Sequence, residues 1–122
     1  MEDSILTSIK KMLGITEEYE HFDADLVTHI NSVFMILTQL GVGPANGFSI
    51  SDKDAKWEDF LSDENKLQAV KSFMQIKVKL LFDPPLGSAV MEAMNRLASE
   101  LEWRLQVEAE SSESTEEEIQ NE

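Results

Sequence analysis

Apolar residues recur at intervals of three and four along most of the chain, and clusters of turn-forming residues cut this pattern into helix-length blocks. The densest block is 63–82. Leu67, Val70, Met74, Val78 and Leu81 mark one line, and Phe73, Ile76 and Leu80 a second. A helix with so wide an apolar surface belongs at the centre of a small bundle. Ser62 can cap its start, with Asp63 and Glu64 at the positive end of the helix dipole. Asp83-Pro84-Pro85-Leu86-Gly87 must end it, because proline lacks an N–H and restricts the residue before it. Ser88 can cap a second long helix over 89–107, whose stripe is Val90, Met94, Leu97, Leu101 and Leu105, widened by Met91 and Ala98. The short link makes the two helices antiparallel neighbours.

Upstream, the spacing predicts a short amphipathic helix over 3–13, capped by Asp3 or Ser4 and stopped by Gly14. An acidic connection, 15–22, holds Tyr19, His21 and Phe22. Asp23 can cap a helix over 24–40, closed by Gly41, with Leu26, Ile30, Val33, Leu37 and Leu40 on its inner face. Turn formers crowd 42–51, where Phe48-Ser49-Ile50 can form a brief extended piece. That loop is longer than a bundle connection needs, so Phe48 and Ile50 are expected to contribute to a partner contact. A short helix within 52–61 would turn Trp57, Phe60 and Leu61 inward. After Val107 the composition falls to Glu, Ser, Thr, Gln and Asn, too polar to order itself. The expectation is an all-α protein: a helical domain, 1–107, built as a bundle of four to five helices with one irregular loop, and a disordered acidic tail, 108–122.

Charge narrows the function. Formal net charge is −14, and the last fifteen residues hold seven acids and no base. Binding to nucleic acid needs Lys and Arg to displace counterions, and this chain carries the opposite field. The absence of Cys excludes disulfides and thiol chemistry. No signal peptide is evident, and the longest apolar run, 33–37, is far short of a membrane span, so no membrane partner is expected.

No constellation carries catalysis. Asp25 and His29 share a helix face, with His21 and Asp23 upstream, but two His without a second cluster make a poor metal site. The acidic pairs, such as Glu17-Glu18, Glu58-Asp59 and Glu100/Glu102, fall at helix starts and on polar faces. General acid–base work needs two carboxylates in different environments within one cleft. Gly41-Val42-Gly43 lacks the Lys and the preceding strand of a phosphate loop. The six Met residues read as core filler. No enzyme activity, cofactor or metal is expected.

Trp103 breaks the pattern. At 100° per residue it lies opposite the stripe of its helix, beside Arg96, Glu100 and Val107. Either another segment, such as the first helix, covers it, or it anchors a contact between subunits. Trp and Arg are enriched at interface hot spots, and Trp103-Arg104 supplies both.

The element order, with AVKSFMQIKVKLLFDPP at 69–85, ELEWRL at 100–105, KKMLGI at 10–15 and DADLVTHINSVFMILTQLGVG at 23–43, resembles the head–tail connector (adaptor) proteins of tailed bacteriophages. The resemblance spans about residues 1–107 and leaves the tail outside. It implies a homo-oligomeric ring, usually of twelve subunits, in the neck of the virion, assembled in the host cytoplasm. Its partners would be the portal protein and the next head-completion (stopper) or tail protein. DNA would pass through the channel without specific binding, consistent with an acidic lumen. In that reading Trp103, Arg104, Val107 and Arg96 meet a neighbouring subunit or the portal. Two other classes share the acidity. A DNA-mimicking inhibitor would need carboxylates spaced along a folded surface, whereas half of the net charge lies in the tail. A small antitoxin-like regulator would need a basic recognition helix, and none is evident.

Overall fold

The computed structural model describes residues 4–120, and their side chains as far as Ser111. Five helices follow in order: α1 (Ile5–Met12), α2 (Asp23–Gln39), α3 (Trp57–Phe60), α4 (Glu64–Phe82) and α5 (Ser88–Gln120). Among the described residues the only β feature is a single antiparallel bridge between Ser4 and Lys56. The fold is an all-α bundle. α4 lies between α2 and α5, and α1 packs on α2. The wide apolar surface of α4 explains its central place: Leu67, Val70, Phe73, Met74 and Val78 are all buried.

The glycine stops form as their chemistry requires. Gly14 and Gly41 adopt φ of +80° and +85°. Each is followed by a residue whose N–H reaches back five positions, Ile15 to the Lys10 carbonyl at 2.8 Å and Val42 to that of Leu37 at 2.9 Å. Each thereby satisfies a carbonyl that the helix end would leave unpaired.

The caps shift by one residue in two places. Ser4 caps α1, its hydroxyl accepting from the Thr7 N–H at 3.2 Å. Asp63, rather than Ser62, caps α4, accepting from Asn65 N–H at 3.0 Å and Lys66 N–H at 3.3 Å. Asp23 does not cap α2 but forms its first residue. Its Oδ1 lies 2.9 Å from the buried Lys10 ammonium, off line for a hydrogen bond, so the pair is held by charge. The same ammonium donates to the Glu17 carbonyl at 2.9 Å, which fastens the acidic connection 15–22 to α1.

The last helix differs most from its expected form. α5 does not end at Val107; it continues to Gln120, so the boundary expected between 107 and 108 falls inside one helix. No Gly or Pro follows Gly87, and Glu, Gln and Ala all favour helix. Ala109 still packs against the core. Residues 108–111, expected in the tail, continue α5. Residues 121 and 122, and the side chains of 112–120, lie outside the described residues.

Candidate interaction surface

The loop between α2 and α3 is a built part of the core. Asn31 on α2 clamps it: its side-chain N–H donates to the Ile50 carbonyl at 2.9 Å, and its Oδ1 accepts from the Ile50 N–H at 2.8 Å. Phe34 stacks edge-on with Phe48 at 4.9 Å between centroids and lies 4.8 Å from Phe60. Gly43, with φ of +87°, runs directly under Phe60; a Cβ there would stand 2.3 Å from the ring. Trp57 is buried, its indole N–H donating to Ser8 Oγ at 2.9 Å. Phe48 and Ile50, expected at a partner contact, are thus committed inward. Phe48 is half-buried among aromatic rings and Ile50 is buried.

α5 is the opposite case. It packs chiefly on α4, which covers one side of it. Ala98 and Leu105 are buried, and Met94 and Leu101 half-buried. Val90 and Leu97, expected on the buried stripe, are exposed; they lie about 50–70° around the helix from the middle of the covered line of Met94, Ala98, Leu101 and Leu105. On the outward side Trp103 is 63% exposed. Trp103, Val107 and Arg96 lie within about 40° of one another around the helix, with Arg104 beside them. Of the two alternatives for Trp103, cover by α1 is not what is found: α1 packs on α2. Arg104 donates to Glu100 Oε1 at 2.8 Å, and Arg96 lies 3.2 Å from Glu92 Oε1. Both are exposed i,i+4 pairs, worth about 0.3–0.5 kcal/mol each.

A second exposed apolar area occupies the end of the bundle where α2 begins and α4 ends. Phe22 stacks on Phe82 at 5.2 Å, and Tyr19 on Phe22 at 5.6 Å. Leu81 and Leu86, on either side of Phe82 in the chain, are exposed, Leu86 completely. The sequence pattern had Leu81 on the buried line; it extends past the point where the bundle covers that line. The residues weighed as metal ligands separate here. His21 packs against Phe22 at 4.9 Å, His29 lies 6.3 Å from Phe82, and Asp23 faces Lys10. Among the described residues no group of three His, Asp or Glu side chains gathers into a ligand set. An open groove of about 500 Å³ runs between Gly41–Ala45 and the Leu105–Glu110 stretch of α5, with Thr38, Lys66, Glu108 and Glu110 among its lining residues.

The Asn31 clamp and the Lys10–Asp23 pair were not anticipated. The first joins positions nineteen apart and carries no sequence signature. The second had a weak signal: Lys10 falls among the buried residues of a short amphipathic helix, where a charge needs a partner.

Among the described residues, no helix is long and apolar enough to cross a membrane. No curated protein and no solved structure matches the chain. A model of the phage connector protein family matches residues 5–112, which covers the helical body and the ordered run of α5 past Trp103. That family consists of structural proteins of the phage particle, which associate with other head and tail proteins. With a match over most of its length, the chain belongs to the phage connector protein family.

Proposed function

We propose that the protein forms a ring beneath the portal that joins the DNA-filled head to the tail and continues the DNA channel. The observation that carries this reading is the outward face of α5. A half-covered helix holds a 63% exposed Trp103 beside Val107 and both arginines of the chain. Large aromatic side chains with Arg at their edge are the groups that dominate binding energy at protein interfaces. In this role Trp103, Arg104, Val107 and Arg96 contact a neighbouring subunit or the portal, and a stopper or tail protein binds the far side of the ring. The net charge of −14 supports a channel wall that repels the DNA backbone and lets it slide.

The test is mass by light scattering with negative-stain imaging, on the protein alone and mixed with the portal of the same phage. A ring, alone or capping the portal, is the expected result. Trp103→Ala should give a folded chain that no longer assembles. If the variant completes heads and joins tails as the parent does, the anchor role of Trp103 is lost. The DNA-mimic alternative predicts instead a monomer that ignores the portal and binds a DNA-handling enzyme.

A further inference from the structure

We infer that Asn46-Gly47 is a site of spontaneous covalent modification, at which the asparagine converts through a cyclic imide to aspartate and isoaspartate. The chemistry needs a side-chain amide that can meet the backbone nitrogen of the next residue. Four asparagines fall among the described residues, and the fold treats them differently. Asn31, Asn65 and Asn95 lie in α2, α4 and α5. A helix fixes the backbone on both sides of each amide and keeps the two groups apart. Asn31 is held further by its two hydrogen bonds to Ile50. After Asn65, the Lys66 N–H is engaged by the Asp63 cap at 3.3 Å. The residues that follow these three asparagines, Ser32, Lys66 and Arg96, also carry a Cβ that crowds the attacking nitrogen.

Asn46 has none of this protection. It is exposed in the turn Pro44-Ala45-Asn46-Gly47, outside every helix. Glycine follows it, so no Cβ shields the nitrogen, and the place is open: a Cβ on Gly47 would meet only Thr38 Oγ1, at 3.8 Å. One restraint remains, the Gly47 N–H donating to the Pro44 carbonyl at 3.0 Å. Hydrogen bonds at exposed loop tips open well below the global unfolding free energy. In the opened turn, solvent base takes the Gly47 amide proton and the nitrogen attacks Asn46 Cγ. The new N–C bond closes the imide, and the Cγ–Nδ2 bond breaks to release ammonia. Water then opens the imide at either carbonyl, and nothing is oxidised or reduced. One opening leaves aspartate. The other leaves isoaspartate, in which the chain runs through the side-chain carbon. Either product adds a negative charge to the loop that borders the groove opposite Glu108 and Glu110. Isoaspartate also lengthens the backbone by one atom, two residues before Phe48.

The test is peptide mapping by mass spectrometry of the folded chain after prolonged incubation in mildly alkaline buffer, with a urea-unfolded sample alongside. The peptide holding Asn46 should gain the mass of an amide-to-acid exchange and separate into aspartate and isoaspartate forms, and the whole chain should shift to later elution on an anion exchanger. Asn46→Gln, at an exposed position, should abolish both changes and leave the unfolding midpoint where it was, because the longer side chain closes an imide far more slowly. Conversion at Asn46 ahead of every other asparagine upholds the site. An Asn46 that stays unchanged in the folded chain, or that is overtaken by another asparagine, overturns it; conversion in the unfolded sample alone would show that the hydrogen bond to Pro44 locks the nitrogen.

Discussion

The loop 42–51 and the second half of α5 border the same groove, yet they use apolar side chains in opposite ways. The loop buries Val42 and Ile50 and tucks Phe48 between the rings of Phe34 and Phe60. α5 buries Leu105 but leaves Trp103 and Val107 in water. The reason is the backbone. A loop cannot satisfy its own N–H and C=O groups, so a buried loop must be fastened from outside, here by Asn31. A helix satisfies its backbone internally and needs only one covered side to stay in place. The loop is therefore organised for the fold. α5 has a free side, on which large apolar groups gain nothing unless another chain covers them.

If this contrast is right, substitutions in the loop region should cost stability and leave partner binding as a secondary casualty. The largest effect is expected at Phe34, completely buried where α2, the loop and α3 meet. Phe34→Ala should destabilise the chain by about 4 kcal/mol, read from a urea unfolding midpoint. A loss below about 1 kcal/mol would mean that the loop and α3 are not part of the cooperative unit. Gly43→Ala comes next. It introduces a Cβ 2.3 Å from the Phe60 ring at a φ of +87°, where an L side chain is already strained. The two penalties together should come to about 3 kcal/mol. Gly14→Ala, where a Cβ meets nothing within 4 Å, isolates the backbone part and should cost only about 1–2 kcal/mol.

Asn31→Ala sharpens the comparison further. It removes both hydrogen bonds to Ile50 and leaves that residue's N–H and C=O unpaired in a part-buried place. The expected cost is about 2 kcal/mol, with hydrogen exchange accelerated first at the Ile50 amide. Equal protection of Ile50 in the variant would show that the clamp does not hold the loop.

The same contrast explains what the sequence could reveal. The helix stops at Gly14 and Gly41 and the turn at Pro84-Pro85 were legible because they depend on local backbone chemistry. The centrality of α4 was legible because its apolar residues exceed one face. Periodicity also placed Val90, Leu97 and Leu105 on one stripe of α5. It could not tell that the covered line runs through Met94, Ala98, Leu101 and Leu105 and leaves Val90 and Leu97 at its exposed edge, since a stripe says which side chains share a face and not what lies opposite. Phe48 and Ile50 were named for a partner contact from loop length alone. Their inward course depends on Asn31 and Phe34, distant in sequence. The off-stripe position of Trp103 was plain, but whether α1 covered it could be decided only by seeing α1 on α2. Composition changes at Val107 while helix-compatible residues continue, so the sequence pattern did not reveal that α5 runs on past it.

The smallest expected effect on stability is the most discriminating. Trp103→Ala removes the largest exposed side chain of α5, one that is 63% in water and makes no ring contact or hydrogen bond with the described residues. Truncation of such a residue should leave the unfolding free energy within about 0.5 kcal/mol of the parent. The same change at buried Trp57, which stacks in the core and donates to Ser8, should cost about 3–5 kcal/mol. Measured side by side, the two tryptophans test the division of labour directly. If Trp103→Ala were as damaging as Trp57→Ala, Trp103 would be a packing residue of the monomer and the outward face of α5 would have no claim to a partner. A neutral effect on the isolated chain with loss of assembly would assign its apolar surface to contact between chains, because no energy within the fold would then account for it.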